Sequence, residues 1–305
     1  MRPEGIGKVI PGLGLAWEKW KSLNSPMAAR ISLSLVIPTY NEERRLPATL
    51  RTLSEWLPQS PFDAEVLVID DGSRDGTRRV AGEFGDKIPD LHFVEIAHAG
   101  YMNAIITGLR QSIRPWRATL EADGPVHPRM FASFAADFPD YDIVMGRRTN
   151  LVEGKSLFRR LLSSVMSRLF SIFFKGGIHD PQIGFKLYRG EMLEKVLPLL
   201  TLRHDGLKSA EIIVKALAFG YRVKEVPVQY KHDEDSRCVP RGNFSVVIKA
   251  ALALFELWAK SYVEFKRGDL PLGPVRFGFL LLPFWRLMNF PAFPAARAAA
   301  PVSTP

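Results

Sequence analysis

A single cysteine, Cys238, in 305 residues excludes an internal disulfide and fits a reducing compartment. No apolar run reaches the about 20 consecutive residues that a simple membrane-spanning helix needs. Lys249 and Glu256 interrupt residues 246–259, with Lys260 next; residues 277–285 contain Gly278 and Pro283 and lie between Arg276 and Arg286. A secretory signal is not expected either. Pro11, Gly12 and Gly14 break the mildly apolar residues 9–17, and Glu18-Lys19 follows at once. Helix-turn-helix, zinc-ligand and RNP patterns are missing, so nucleic acid is set aside as a partner. Acidic residues are in deficit. The net charge of +9 points instead to an anionic membrane surface or phosphorylated substrates.

Hydrophobic content of 47% beside 24% charged residues belongs to a globular chain rather than a disordered one. Short apolar runs, rich in β-branched residues, alternate with helical patterns from residue 32 to about residue 141. Strands are expected near 33–38, 65–70, 91–96, 117–122 and 142–146. Helices are expected near 44–58, 74–84, 101–113 and 128–138, the first carrying a stripe of Leu46, Leu50, Leu53 and Leu57. Ser73 and Asp75 are expected to start the second. Helices at 156–175, 190–198 and 208–219 follow, with strands near 183–188 and 221–230. Such alternation predicts an α/β fold with a mainly parallel sheet covered by helices on both faces.

Four segments are expected: an amino-terminal extension at 1–30, an α/β domain at 31–242, amphipathic helices at 243–290 and a disordered Ala/Pro-rich tail at 291–305. On a helix, Lys249, Glu256 and Lys260 share one face and leave an apolar face with Leu252, Phe255 and Trp258. Segments 246–263 and 277–288, rimmed by Lys and Arg, suit helices lying on an anionic leaflet. Packing on the protein's own core is the other reading.

The first two strands end in Leu35-Val-Ile-Pro-Thr-Tyr-Asn-Glu-Glu43 and Val66-Leu-Val-Ile-Asp-Asp-Gly-Ser-Arg-Asp-Gly-Thr77. Loops at the carboxyl ends of parallel strands bind ligands in open α/β sheets. Their carboxylates suit a partner rich in N–H and hydroxyl donors, such as a base and ribose. Together the two motifs resemble the opening of the family 2 glycosyltransferases, which use nucleotide-sugar donors on a GT-A fold. The resemblance implies that Pro38, Tyr40, Glu42, Asp70 and Asp71 contact the donor nucleotide.

Relatives of this kind usually carry Asp-x-Asp at a strand end to hold a divalent cation. Here the segment reads Thr119-Leu-Glu-Ala-Asp123. The resemblance implies Asp123 and Glu121 as ligands of Mg²⁺ or Mn²⁺, with Glu121 reaching one methylene further than the usual aspartate. Pro125 stands where relatives often have Gln, and Tyr101-Met102 where they typically have Lys-Gly. Downstream, Asp180-Pro-Gln-Ile-Gly-Phe-Lys186 resembles the signature of the branch that glycosylates polyprenyl or dolichyl phosphate. That resemblance implies Asp123 and Asp180 as catalytic carboxylates. It implies Arg148, Arg160, Gln182, Ser236 and Arg237 at the acceptor. A hydroxyl acceptor would need Asp180 as general base, whereas a phosphate monoester is already anionic and needs mainly orientation.

The expected activity is inverting transfer of glucose or mannose from UDP or GDP to a lipid phosphate at the cytoplasmic membrane face. Two alternatives stay open: a hydroxyl acceptor in glycolipid or polysaccharide synthesis, or a GT-A-fold binding protein with impaired catalysis. Glu211 matches an acidic position of the branch without an assignable role. The sequence leaves the oligomeric state open.

Overall fold

The apolar runs become strands of one sheet in the protein, a computed structural model that describes residues 30–149, 178–202, 207–230 and 244–271. β1 (Ile31–Thr39) is buried throughout residues 33–39, as its nearly continuous apolar sequence requires of a central strand. β2 (Phe62–Asp70) and β4 (Trp116–Thr119) pair with it in parallel, and β3 (Leu91–Glu95) extends the sheet beyond β2. The other half holds β5 (Ile143–Arg148), β6 (Lys186–Arg189) and β7 (Val223–Val228), giving the order β3-β2-β1-β4-β6-β5-β7. β6 is antiparallel to both its neighbours, while β5 and β7 are parallel.

Helices α1 (Leu46–Trp56), α2 (Thr77–Gly82), α3 (Tyr101–Gln111) and α4 (Met130–Ala135) connect the first five strands. Leu46, Leu50 and Leu53 of the α1 stripe are fully buried, each contributing about 1.5–3 kcal/mol by transfer from water. Gly108 of α3 lies against the sheet: a Cβ there would come within 2.4 Å of Val36 and 2.9 Å of Ile69. α2 begins later than Ser73 and Asp75 suggested. Ser73 is engaged ahead of the helix, donating to Asp70, while Asp75 stands just before it, accepting the N–H and hydroxyl of Thr77, the first helical residue, and also the Glu43 N–H.

α5 (Gly190–Val196), α6 (Lys208–Ala218) and α7 (Phe244–Arg267) complete the described structure. The apolar face expected to meet lipid is turned inward over part of its length. Leu254, Leu257, Trp258 and Ala259 are buried in the main core, and Lys260 pairs with Glu256 at 2.8 Å. Leu252 stays 46% exposed. A core that lacks cover along α6 offers α7 the same apolar burial that a bilayer would. Residues 1–29, the expected helix at 156–175, the segment 277–288 and the tail lie outside the described residues.

Glu211 finds its role in this packing. Its buried carboxylate accepts the backbone N–H groups of Thr201 and Leu202, and Lys215 lies 3.4 Å from it and 3.1 Å from Glu264 of α7. Lys215 also donates to the Leu199 carbonyl. One buried ammonium thus joins α6, α7 and the turn after α5. Lys215→Met would leave two carboxylates without their cation. It is expected to cost about 3–5 kcal/mol, measured as a fall in the urea midpoint with unchanged m-value.

Candidate active site

β1 and β2 end side by side, and their loops are sewn together. Asn41, in the left-handed region at φ 55°, receives a hydrogen bond from the Arg74 N–H at 2.8 Å, and its own N–H donates to Ser73. The Glu42 N–H donates to Thr77. Asp70 is buried and accepts from the Thr39 hydroxyl at 3.0 Å and the Ser73 N–H at 2.9 Å. Asp71, equally buried, accepts the N–H groups of Ala99 and Gly100 at 2.8 and 2.9 Å and pairs with His98. Both expected nucleotide contacts therefore also hold the loops in place. Glu42 is clasped by Arg45 through two hydrogen bonds. The Tyr40 ring, 38% exposed, stacks on His98 with centroids 4.4 Å apart, and Pro38 is buried beneath in β1.

The end of β4 carries Glu121 and Asp123. The chain turns there: Leu120 donates to the Val36 carbonyl, Thr49 to the Ala122 carbonyl, and Gly124 has φ 59°. Because β6 runs antiparallel, the loop before it rises at this same edge. Thr119 donates its hydroxyl to the Gly184 carbonyl, and the Gly146 N–H of β5 donates to Phe185. Phe185 fixes the loop by stacking on Phe131 at 3.9 Å. Gly184 then lies directly on Glu121, where a Cβ would come within 2.6 Å of that side chain. Only a residue without a side chain admits this contact.

Asp180 faces the end of β5. Arg148 grips it with Nε at 2.7 Å and a terminal nitrogen at 2.5 Å, and adds its backbone N–H at 3.2 Å. Burial opposes ionisation of Asp180, yet the Arg148 hydrogen bonds prevail and hold its carboxyl below the usual range. Glu225 accepts the N–H groups of His179 and Asp180, fixing the loop from β7. Below it, Lys186 is buried and donates to the Ile183 carbonyl and to Ser209, which in turn donates to Pro181. Burial lowers the Lys186 ammonium to about 7, against the opposing charges of Asp180 and Glu121. Gln182 is exposed on the same loop. Arg160, Ser236 and Arg237 lie outside the described residues.

Residues that sequence reasoning did not assign complete the cleft. Tyr230 donates to Glu121 at 3.1 Å. Tyr101 is 45% exposed as a residue, yet local desolvation of its phenol, with the nearby charges of Glu121 and Asp123, pushes that group well above its ordinary value. Tyr101 was noticed only as a departure from the family's Lys. Tyr230 had no signal, because nothing in its neighbourhood in the chain points to Glu121. A separate group, Glu65, Asp90 and His92, sits towards the amino ends of β2 and β3. Its acids are engaged by Ser34, the Ile113 N–H and Arg114, and it lies away from Asp123.

Residues 34–197 match the model of glycosyl transferase family 2, and the chain belongs to that family: it is a glycosyltransferase. It is similar to the dolichyl-phosphate beta-glucosyltransferase of Dictyostelium discoideum, 27% identical over 228 residues, covering 69% of each chain. The polyprenol monophosphomannose synthase of Mycolicibacterium smegmatis is 32% identical over 215 residues, or 66% of this chain and 77% of that one. Among solved structures, the glucosyl-3-phosphoglycerate synthase of Mycobacterium tuberculosis with phosphoglyceric acid superimposes with a TM-score of 0.55 at 18% identity. That match covers 73% of this chain and 80% of that one. The same enzyme has been crystallised with UDP and Mn²⁺ and with UDP and Mg²⁺. The fold is GT-A.

Burial, and then the charge of Asp123, raise Glu121 from 4.5 to about 7. Between these values the native state binds more protons than the unfolded chain, so this group's contribution to stability is lost as pH rises through about 7. Glu121→Gln removes that loss. Its Tm, measured without metal, is expected to exceed that of the parent by a few degrees at about pH 8, with a smaller gap at about pH 5.5.

Proposed function

We propose that this glycosyltransferase moves glucose or mannose from UDP or GDP to a polyprenyl phosphate, with inversion at the anomeric carbon. The observation that carries the reading is the Arg148–Asp180 pair. A hydroxyl acceptor needs a proton acceptor, and a carboxylate locked to a guanidinium and held below its usual pKa is a poor one. A phosphate needs an oriented cation instead, and the doubly bonded Arg148 is pre-organised to be that cation. The two relatives named for dolichyl-phosphate and polyprenol substrates support the same acceptor class.

In this reading the donor nucleotide lies across Pro38, Tyr40, Glu42, Asp70 and Asp71. An oxygen of the lipid phosphate forms a bond to the anomeric carbon while the bond from that carbon to the nucleoside diphosphate breaks; one displacement inverts the centre. Arg148 orients the attacking phosphate, Asp180 holds Arg148, and Gln182, Arg160, Ser236 and Arg237 are assigned to the acceptor. Asp123 and Glu121 fit Mg²⁺ or Mn²⁺: both offer oxygen, and because burial and then the charge of Asp123 raise the Glu121 pKa, a cation there would offset the cost of its ionisation. When bound, the cation supplies charge that stabilises the departing diphosphate.

The enzyme is proposed to work at the cytoplasmic face of the membrane. No helix among the described residues is long and apolar enough to cross it, and the basic residues of the carboxyl-terminal third are assigned to the lipid headgroups, at about 1 kcal/mol each. Binding to anionic liposomes is expected at low salt and should weaken as salt rises; failure to sediment with them at low salt would remove the peripheral assignment.

Incubating the protein with radiolabelled nucleotide sugars, Mg²⁺ or Mn²⁺ and polyprenyl phosphate should move label into the lipid phase. Asp123→Ala should abolish this transfer without unfolding the chain. Full activity in excess EDTA would refute the metal assignment, and label appearing only on hydroxyl acceptors would refute the lipid phosphate.

A further inference from the structure

Tyr230 touches both halves of the cleft. Its hydroxyl donates to Glu121 Oε2 at 3.1 Å, and the guanidinium carbon of Arg148 lies 5.3 Å from its ring centroid. Arg148 is thus held along its edge by Asp180 and on its face by an aromatic ring. Glu121 is held along its stem by Gly184 and at its head by the phenol. The strand end that carries Tyr230 is anchored beside Arg148. Two residues earlier, the Val228 carbonyl accepts both the N–H and the hydroxyl of Thr149, at 3.2 and 3.1 Å, tying the end of β7 to the residue after Arg148.

We propose that Tyr230 is a positioning residue that couples the donor side of the cleft to the acceptor side, its hydroxyl orienting Glu121 and its ring orienting Arg148. The inference rests on the phosphate-acceptor reading and deepens it. The two functions reside in different parts of one side chain, so substitution separates them. A phenol carries its proton at neutral pH, so it is a donor in the working range. Phenylalanine keeps the ring and loses the donor; leucine loses both.

The test uses the full chain, a nucleotide sugar with Mg²⁺, and a short isoprenyl phosphate. Tyr230→Phe is expected to lower kcat about tenfold, the value of one hydrogen bond made to a charged group, with the acceptor KM unchanged. Tyr230→Leu should show the same loss of kcat and in addition raise the acceptor KM about three- to fivefold, as expected when a guanidinium loses an aromatic face. Thermal melts of both variants should stay close to that of the parent. The proposal is overturned if Tyr230→Phe matches the parent in kcat, or if Tyr230→Leu matches Tyr230→Phe in acceptor KM. It is also overturned if both variants lose activity only in proportion to a lowered Tm. Calorimetric titration with inorganic phosphate gives an arm that needs no turnover. Phosphate binding should weaken in Tyr230→Leu and not in Tyr230→Phe, and equal binding by parent and leucine variant overturns the ring's role. If the parent transfers no sugar to the isoprenyl phosphate, the reaction reading fails on its own, while the phosphate titration still decides on Tyr230.

Discussion

The antiparallel insertion of β6 between β4 and β5 is the constraint on which the site depends. In a purely parallel sheet the strands flanking that position would present only their own carboxyl ends. With β6 reversed, the loop that precedes it, residues 180–185, rises at the same edge as Glu121 after β4 and Arg148 at the end of β5. Hydrogen bonds from Thr119 to Gly184 and from Gly146 to Phe185 fasten that loop on both sides. Phe185, stacked on Phe131, drives it into the core. Strand direction, set by apolar packing, therefore decides which charged groups meet.

Charges brought together at a sheet edge must be balanced locally, since burial penalises each alone. The cleft does this by pairing. Arg148 neutralises Asp180, the buried Lys186 lies under both Asp180 and Glu121, and Tyr230 supplies a hydrogen bond to Glu121. Glu121 remains crowded by burial and by the charge of Asp123, which keeps its pKa raised. The Glu211–Lys215–Glu264 group follows the same logic away from the cleft, where it fastens α7 to the domain. One kind of interaction thus serves stability in one place and chemistry in another.

Similarity to lipid-phosphate glycosyltransferases agrees with this balance of charge. Arg148 holds the Asp180 carboxyl below its usual range, which leaves that carboxylate a weak proton acceptor. The substitutions that set this chain apart are accommodated rather than empty. Glu121 finds room for its extra methylene because its neighbour is Gly184, and Tyr101 reaches the same acidic cluster from α3.

Much of this was legible in the chain. Alternating apolar runs and helical stripes fixed the strands and α1 because periodicity reports burial directly, and the Asp-Pro-Gln-Ile-Gly-Phe-Lys run marked the loop before β6. The family resemblance singled out Asp70, Asp71, Glu121, Asp123, Arg148 and Asp180, and the structure places all six in loops or strand ends at the carboxyl edge of the parallel strands. The late start of α2 was not legible, because Ser73 is held by Asp70 and the Asn41 N–H, and Asp75, while it accepts the Thr77 N–H at the helix start, also accepts the Glu43 N–H from the neighbouring loop. The inward turn of α7 was not legible either, since an apolar face reads the same whether lipid or protein will cover it. Sequence alone determined which segments form strands and which residue types their ends present, for these are local properties of pattern and composition. Tertiary structure alone decided that Gly184 lies on Glu121, that Asp180 is bound by Arg148 rather than free to act as a base, and that Tyr230 joins the two. Each of these contacts spans dozens of residues and exists only once the sheet has set the direction of β6.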